Sequence, residues 1–377
     1  PGDEIQTLNE TTGKLVRSKV MALIDMGVKP IYKLTTASGK TIRTTGNHPY
    51  LIKEIGSRPI KHQSSINDAG WITVENIKEG DYIAEPKPRV GVFIDDANMF
   101  YAQRKKRWRV DYDKVRGLLA KDFQVEFMNY YIALPKSSDE PAYYKTQKYL
   151  EKLKGRVNII TKPLKYIFES IHLGDGNIIE RNLRKGNFDV EITRDVLNNL
   201  KNLDSVIIIS GDSDFVALRD DVWKKKKQIL FLAFKDNLAL ELKQGKYLTF
   251  ERIREWVELG QKNTPDTFGG ILLSSLYSNQ GILSIGDKEN NENNDFVWAR
   301  VDKIEQTKNE QVYDIEVEDT HNFVANGIIA HNTYITSDLT VDTNTLYVDA
   351  ANNRVGIGDT SPDYKLEVLS TSTQFTL

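Results

Sequence analysis

The sequence predicts a multidomain protein: an all-β domain split by an inserted α/β domain with a parallel sheet, followed by a short β-rich tail. Segments 1–87 and 296–332 alternate apolar and polar residues in short runs between turns, which is typical of β-strands. The segment between them has continuous apolar runs separated by helical patterns, which is typical of a parallel sheet. The segment 333–377 is rich in Thr, Asn and Asp and differs from the rest.

The segment boundaries follow these changes in composition. The first β segment, 1–87, closes at a proline-bounded stretch, and the α/β domain then covers 88–260. A Gly/Asn/Ser-rich linker, 261–295, contains "GDKENNENND". The second β segment, 296–332, precedes the tail, 333–377.

The composition excludes several classes of protein. Of 377 residues, 40% are hydrophobic and 28% charged, an ordinary soluble composition, and the net charge of −2 indicates no particular partner. The absence of cysteine excludes disulfides, thiolate zinc sites and cysteine nucleophiles within the chain. No apolar run can span a bilayer, so we expect no membrane partner and a cytoplasmic location. Because the sequence begins at Pro1, we expect a fragment whose true start, with any targeting signal, is missing.

Three stretches of the β segments resemble the sequence motifs of inteins. They are "PGDEIQT" at the start, "TTGNHPYL" with Thr45 and His48 three apart, and "VYDIEVEDTHNFVANGIIAHN" followed by Thr333. The resemblance covers about 1–87 and 296–332, and the last stretch is long and specific. It implies a Hint-type β fold and protein splicing, with the flanking segments of its own precursor as partners and no cofactor.

The resemblance gives the upstream residues their roles. Thr45 and His48 would polarise the upstream scissile amide, and His48 would protonate the departing nitrogen. The family's first residue, a Cys or Ser nucleophile, is absent, and family spacing places it just before Pro1. A simpler interpretation of His48 is an ordinary turn histidine.

The downstream residues also take their roles from the resemblance. The hydroxyl of Thr333 would receive the acyl chain. The side-chain amide of Asn332 would then attack its own carbonyl carbon, form a succinimide and cut the chain. His331 would stabilise the oxyanion, His321 would assist proton transfer, and Asp314 would help to couple the steps.

Acidic residues follow the apolar strands of the inserted domain. Asp95 follows "VGVFI", and Asp212 and Asp214 follow "VIIIS". Residues just past the carboxyl ends of parallel strands line the binding crevice. Asp189 would join them near the start of an amphipathic helix whose inner face includes Ile192. Clustered carboxylates favour Mg²⁺ or Mn²⁺, which would activate water for phosphodiester hydrolysis. The simpler interpretation is that these acids cap helices.

The insert also resembles NYN-domain nucleases, relatives of PIN domains. "VGVFIDDANMF", "KGNFDVEITRDVL" and "IIISGDSDF" match their three motifs in order and spacing across about 89–258. The resemblance implies a nuclease acting on RNA in preference to DNA. Asn98 would orient the first acid or contact substrate. Asp195 matches a family position, although it lies about 120° from Asp189 around a helix. Asp96 replaces a small residue of the family.

A basic run within the insert is a candidate nucleic-acid surface. It could follow a phosphate backbone and stack a base on its tryptophan. A solvated helix face is the alternative interpretation. The residues of the run are Arg104, Lys105, Lys106, Arg107, Trp108 and Arg109.

The tail stretch "NNRVGIGDTSPDYKLEV" resembles a repeat of phage tail-fibre-like and bacterial surface proteins. It would begin the host protein downstream of the intein, the C-extein. Two other functions stay open: a metal-dependent ribonuclease with a non-splicing β scaffold, and a self-cleaving Hint domain of the hedgehog or toxin-maturation kind. Asn332 followed by Thr333 favours splicing.

Overall fold

The computed structural model describes residues 2–53, 62–66, 69–172, 178–261, 294–332, 339–341, 346–349 and 352–368. The linker lies almost entirely outside the described residues, as does Thr333. The first segment is built of strands β1 (Glu4–Asn9), β2 (Lys14–Thr36), β3 (Thr41–Thr45), β4 (Pro49–Lys53), β5 (His62–Gln63), β6 (Ala69–Thr73) and β7 (Tyr82–Pro86), with a 3₁₀ helix at Val74–Asn76.

One strand of this segment is much longer than the sequence predicted. The alternation predicted short strands separated by turns, whereas β2 runs unbroken for 23 residues. Asp25 and Gly27, which look like turn residues, lie within it, and Gly27 has a positive φ of 72°. Both residues pair with the strand Phe296–Val317, far away in the sequence, and this pairing keeps them within one continuous strand.

The second segment is an α/β unit. Its strands are β8 (Arg89–Asp95), β9 (Gln124–Leu134), β10 (Asn158–Pro163), β11 (Lys165–His172), β12 (Ile178–Lys185), β13 (Ser205–Ile209), β14 (Gln228–Ala233) and β15 (Lys246–Thr249). Its helices are α1 (Asp96–Lys106), α2 (Tyr112–Ala120), α3 (Glu140–Leu153), α4 (Asp189–Asn199), α5 (Val216–Lys224) and α6 (Arg254–Val257). Short 3₁₀ helices lie at Leu200–Asn202, Ser213–Phe215, Lys235–Asn237, Glu241–Gln244 and Phe250–Arg252.

The parallel sheet predicted for this segment is present. In the described part of the chain, six strands pair in the order β10-β9-β8-β13-β14-β15, and each pair is parallel. Alternate residues of each central strand enter two separate apolar clusters. Val92 and Ile94 pack into one cluster with α1 and α2, while Phe93 packs into the other with α4 and α5. The antiparallel hairpin β11–β12 stands apart and was not predicted.

The chain then returns to the first sheet through β16 (Phe296–Val317), β17 (Asn322–Ala325) and β18 (Ile328–His331). The described residues form a sheet in the order β1-β2-β16-β7-β4-β18-β17, with β3 on β2, β6 on β4 and β5 on β6. β16 pairs antiparallel with β2 along most of its length and with β7 at its start. Segments from both ends of the chain therefore form one sheet.

The α/β segment leaves and rejoins the β sheet at adjacent points. Pro86, the last residue of β7, pairs directly with Phe296, the first residue of β16. Just beyond this pair, the Lys87 N–H donates to the Asp295 carbonyl oxygen at 2.9 Å, and Lys87 Nζ donates to the carbonyl oxygen of Ala120 on α2 at 2.7 Å. The insertion therefore begins and ends at one place in the sheet.

The tail forms a small sheet of β19 (Leu339–Val341), β20 (Leu346–Asp349), β21 (Arg354–Ile357) and β22 (Leu366–Val368), paired in chain order. Of the helices in the described ranges, none has the length and apolar character needed to cross a membrane.

A glycine at the end of β13 tests how tightly the sheet meets its loops. A Cβ on Gly211 would lie 2.1 Å from the Asn237 carbonyl oxygen, which is backbone and has no rotamer to move. We expect Gly211→Ala to lower the free energy of unfolding by about 1–3 kcal/mol, as overpacking does. On α2, a Cβ on Gly117 would have no neighbour within 4 Å. We expect Gly117→Ala to raise the free energy of unfolding by about 0.5–1 kcal/mol. Urea unfolding of both variants checks this, and equal stabilities would contradict it.

Candidate functional site

The candidate residues form two groups, one in the β sheet and one at the carboxyl ends of the strands of the parallel sheet. In the β sheet, Asn332 follows β18 and is buried. Its N–H donates to the His321 carbonyl oxygen at 2.8 Å. The Asn332 side-chain amide is oriented so that both its nitrogen and its oxygen have hydrogen-bond partners. The nitrogen donates to the carbonyl oxygens of His321 (3.1 Å) and Ile315 (3.3 Å). The side-chain oxygen accepts from the Val317 N–H at 3.2 Å.

His331 lies beside the carbonyl group of Asn332. Its Nδ1 atom is 3.1 Å from the Asn332 carbonyl oxygen, and the imidazole is buried. The ring packs edge-to-face against Trp71, with centroids 4.7 Å apart. An N–H at this position can stabilise negative charge on the carbonyl oxygen.

His321 contributes its backbone to this group. Its residue has a left-handed backbone (φ 53°), and its side chain is exposed. The left-handed turn directs its carbonyl oxygen at Asn332, where it accepts the bonds described above. The proton-transfer role given to its imidazole stays a prediction.

Thr45, His48 and Asp314 line one cavity of about 690 Å³. The His48 N–H donates to the Thr45 carbonyl oxygen at 3.1 Å, closing the turn after β3. The His48 imidazole packs against the rings of Tyr50 and Phe323. Burial lowers the pKa of His48 to about 4, and the neighbouring Asp314 charge opposes this shift. His48 is therefore a neutral imidazole at neutral pH.

Strand pairing brings the cavity and the Asn332 group together. Tyr50 of β4 pairs antiparallel with Ala330 of β18. His48 lies two residues before Tyr50, and Asn332 lies two residues after Ala330. Phe323, which packs on His48, is the β17 partner of Ala330.

The first residues of the chain lie in the same part of the sheet. The Gly2 N–H donates to the Val20 carbonyl oxygen at 2.8 Å. Val20 pairs with Val317, whose N–H is the donor to the Asn332 side chain. Gly2 is thus separated from Asn332 by two strands only, β2 and β16.

In the parallel sheet, three of the predicted acids meet at the carboxyl ends of the strands. Carboxylate oxygens of Asp189, Asp212 and Asp214 lie within 4.8 Å of one another, which fits the oxygen-ligand preference of Mg²⁺ or Mn²⁺. Burial and, to a lesser extent, the charges of Asp212 and Asp95 raise the pKa of Asp189 to about 6, while a hydrogen bond from Asn187 opposes the rise. A cation would relieve this repulsion.

Asp95 lies next to the three acids and is held by neutral donors. It caps α1 by accepting from the Asn98 N–H (3.3 Å), and it accepts from Ser210 Oγ (3.0 Å). Burial raises its pKa, and these bonds oppose the rise. Asn98 Oδ1 accepts from the Gly211 N–H at 3.1 Å, which ties the start of α1 to the loop carrying Asp212.

Two further acids point elsewhere. Asp195 accepts from the Tyr131 hydroxyl at 2.9 Å and pairs with Arg194 at 3.3 Å, outside the three-acid cluster. Its position agrees with the helical angle from Asp189. Asp96 accepts from the Tyr130 hydroxyl, and burial raises its pKa to about 6.

The base-stacking role proposed for the basic run is wrong for Trp108. This side chain is 6% exposed and belongs to the core, packed on Phe234 with centroids 5.0 Å apart. Lys106 pairs with Asp236 and Glu251 at 3.0 and 2.9 Å. The run also lies at the far end of α1 from Asp95, about 15 Å along the axis. The six residues of the run, Arg104, Lys105, Lys106, Arg107, Trp108 and Arg109, do not adjoin the acid cluster.

The sequence did not single out Asn322, Trp71 or Ser210. Asn322 is 1% exposed and makes two hydrogen bonds to the backbone of Leu8. The available signal for Asn322 and for Ser210 was a polar residue at the edge of an apolar run, since Asn322 precedes "FVA" and Ser210 follows "VIII". For Trp71, which contacts His331, there was none beyond its size.

Comparison with known proteins identifies a matching family and several similar proteins. The intein splicing domain family matches residues 1–332. The chain is 28% identical over 181 residues to the low amplitude and bright protein LabA of Synechococcus elongatus, covering 47% of this chain and 91% of LabA. It is 34% identical over 83 residues to the replicative DNA helicase DnaB of Rhodothermus marinus, covering 22% of this chain and 7% of the helicase. The crystal structure of a DnaB intein from Synechocystis matches with a TM-score of 0.28 and 14% identity, covering 88% of this chain and 79% of that one.

The neutral buried His48 makes stability depend on pH. Its pKa in the folded protein, about 4, is below the ordinary 6.5 of an unfolded chain. The contribution of His48 to the free energy of unfolding is fully present above the unfolded pKa of 6.5. It is lost as the pH falls, because the unfolded state then binds more protons than the folded state. Between about pH 7.5 and about pH 4 we expect a loss of about 3 kcal/mol through this residue.

Urea unfolding across this range, followed by tryptophan fluorescence, measures that loss. His48→Gln should show a correspondingly shallower decline. The control is His321→Gln, whose side chain is exposed in the folded protein, and it should follow the wild type. An equally steep decline in His48→Gln would contradict the assignment.

Proposed function

Because the chain belongs to the intein splicing domain family, we propose that the segment ending at Asn332 excises itself from a precursor by cutting at the Asn332–Thr333 bond and joining the flanking segments. The observation that carries this proposal is the 3.1 Å approach of His331 Nδ1 to the Asn332 carbonyl oxygen. Residues 333–377 would then be the first part of the downstream segment, the fibre-like C-extein.

The cutting step follows from the side chain of Asn332. Its amide nitrogen attacks the carbonyl carbon of the same residue, closing a five-membered succinimide ring. The bond to the Thr333 nitrogen breaks, and that nitrogen leaves with a proton as the new amino terminus. His331 donates to the carbonyl oxygen as negative charge develops. The bonds to Ile315 and Val317 orient the amide before reaction, although its nitrogen must leave His321 to attack.

The upstream step uses the second group. We assign polarisation of the upstream amide to Thr45 and His48, with Asp314 beside them in the cavity. His48 is neutral, so it can bind one proton and release another as the upstream nitrogen departs. The Thr333 hydroxyl then receives the acyl chain before Asn332 closes. The short route from Gly2 to Asn332 through β2 and β16 supports this acyl transfer, since both junctions must meet.

Two alternatives use the same fold differently. A self-cleaving Hint domain needs no Asn at position 332, and a ribonuclease with a passive scaffold needs neither His331 nor Asn332. The hydrogen bonds that hold the Asn332 amide, together with membership of the splicing family, support splicing over both.

For the α/β segment we propose a metal-dependent nuclease of the NYN/PIN kind. Asp189, Asp212 and Asp214 would hold Mg²⁺ or Mn²⁺, with Asp95 adjoining them. When bound, such an ion supplies positive charge to a phosphodiester and lowers the pKa of water. Asn98 and Ser210 hold Asp95 and the loop of Asp212 in place.

The substrate would approach along α4. A cavity of about 520 Å³ adjoins the acids and is lined by Val190, Thr193, Arg194, Leu197 and Asn198 besides Asp189 and Asp214. Arg194 is the cation of this surface, and a nucleic-acid phosphate is the group it would contact. RNA in preference to DNA, and a cytoplasmic location, remain proposals drawn from the resemblance and the composition.

Release of the tail tests the cutting step. We expect a purified polypeptide of residues 1–377 to release slowly a fragment beginning at Thr333, leaving a succinimide or its hydrolysis product on the larger piece. Asn332→Ala should stop release, since alanine has no attacking nitrogen. His331→Ala should slow it by about 10²–10³-fold, the usual cost of one oxyanion donor. Mass spectrometry identifies both pieces.

Release at an unchanged rate from Asn332→Ala would rule out cyclisation. Asn202→Ala is a control, because Asn202 is an exposed asparagine at the end of the short 3₁₀ helix Leu200–Asn202 in the α/β segment. It should release the same fragment at the wild-type rate.

The nuclease proposal is tested by removing one carboxylate charge. We expect Asp212→Asn to abolish Mg²⁺- or Mn²⁺-dependent cleavage of single-stranded RNA, because it weakens the ligand set. Asp221→Asn, an exposed acid paired with Lys224 on α5, should leave cleavage unchanged. Labelled RNA and DNA oligonucleotides on gels provide the assay. Full cleavage in excess chelator would refute metal dependence, and cleavage of neither substrate would refute the nuclease.

A further inference from the structure

The first strand of the protein is bonded directly to the strands that end at Asn332. The Leu8 N–H donates to Asn322 Oδ1 at 2.7 Å, and Asn322 Nδ2 donates back to the Leu8 carbonyl oxygen at 2.8 Å. Asn322 is the residue opposite His331 in the β17–β18 pair. Both Leu8 and Asn322 are buried, so the loss of either bond would leave a polar group without water. β1 thereby fixes the backbone across from His331.

A second connection runs from the end of β1 to the His331 ring. Glu10, one residue past β1, accepts from Trp71 Nε1 at 3.1 Å and also from Ser64 Oγ. Trp71 is 1% exposed and packs on His331 at an interplanar angle of 73°. The indole hydrogen bond fixes the rotation of the Trp71 ring, and this ring limits the rotation of the imidazole.

Both connections end at the group that contacts the scissile carbonyl. His331 Nδ1 lies 3.1 Å from the Asn332 carbonyl oxygen, where direction and distance decide how well an N–H stabilises charge. Rotation of the imidazole would move Nδ1 away from that oxygen. Misplacement of a reacting group by about 1 Å can cost about a hundredfold in rate.

We propose that Trp71, held by Glu10, and Asn322, held by Leu8, are positioning residues that aim His331 at the Asn332 carbonyl oxygen. This inference rests on the proposed cyclisation at Asn332. It makes the downstream cut depend on the docking of β1, because both connections start there. β1 must therefore be folded into the sheet before the Asn332–Thr333 bond can break.

The test compares release of the Thr333 fragment in matched variants of the 1–377 chain. Glu10→Gln keeps the size of the side chain but weakens the bond to Trp71, and Trp71→Phe keeps a ring without the N–H. We expect each to slow release by at least about tenfold, and we expect the thermal midpoint of Glu10→Gln to stay close to that of the wild type. Trp298→Phe is the control: Trp298 lies in the same apolar cluster as Trp71 but packs on Phe296. It should release the fragment normally.

A spectroscopic measurement separates positioning from a general loss of stability. In the uncleaved Asn332→Ala background, the imidazole resonances of His331 should carry the ring-current displacement of the Trp71 indole. They are assigned by comparison with His331→Gln. Glu10→Gln should move these resonances and leave those of His48 in place.

The outcomes are distinct. Slow release with displaced His331 resonances supports the inference. Normal release in Glu10→Gln and Trp71→Phe, or slow release with unmoved His331 resonances, overturns the inference. In that case cyclisation itself is still supported if Asn332→Ala releases no fragment. Release that persists in Asn332→Ala removes the proposed reaction itself.

Discussion

The structure depends on the pairing of β2 with β16, two strands from opposite ends of the chain. Their ladder runs from the Val301–Thr36 pair to the Val317–Val20 pair, with four shifts of register that let it bend. It places Val20, beside the first residues, directly across from Val317, which binds the Asn332 side chain. Without this pairing the two junctions would be held apart by the α/β segment. The same ladder puts Asp314 in the His48 cavity, so both splicing groups depend on one register.

The α/β segment can be accommodated because its two ends meet. Pro86 and Phe296 are direct strand partners, and Lys87 bonds across to Asp295. Closing a longer loop costs little, about 0.6 kcal/mol for each doubling of its length. The segment also has its own two apolar clusters, separate from those of the β sheet. The pairing of Pro86 with Phe296 continues the β sheet across the point of insertion.

Local sequence patterns predicted the buried strands of the parallel sheet and the acidic residues at their ends. The runs before Asp95 and Asp212 predicted buried parallel strands, and the acids after them predicted the strand ends where they meet. Trp108 could not be placed in this way, because its basic neighbours look the same whether its ring faces Phe234 or water. The length of β2 depends on a partner strand far away in sequence. Long-range pairing likewise explains why neither segment alone indicated that Leu8 and Asn322 are bonded to each other.

Burial shifts the pKa values of the two sites in opposite directions. Burial disfavours charge in both: it lowers the pKa of His48 and raises that of Asp95 and Asp189. In the acid cluster the carboxylates are forced close together, so a divalent cation is the species that would make their ionisation favourable. In the splicing group the imidazole stays neutral, and a neutral ring can accept one proton and donate another without leaving a buried charge behind. Cyclisation of Asn332 transfers protons but creates no net charge, so a buried and neutral site suits it, whereas the clustered carboxylates of Asp189, Asp212 and Asp214 would be stabilised by a cation.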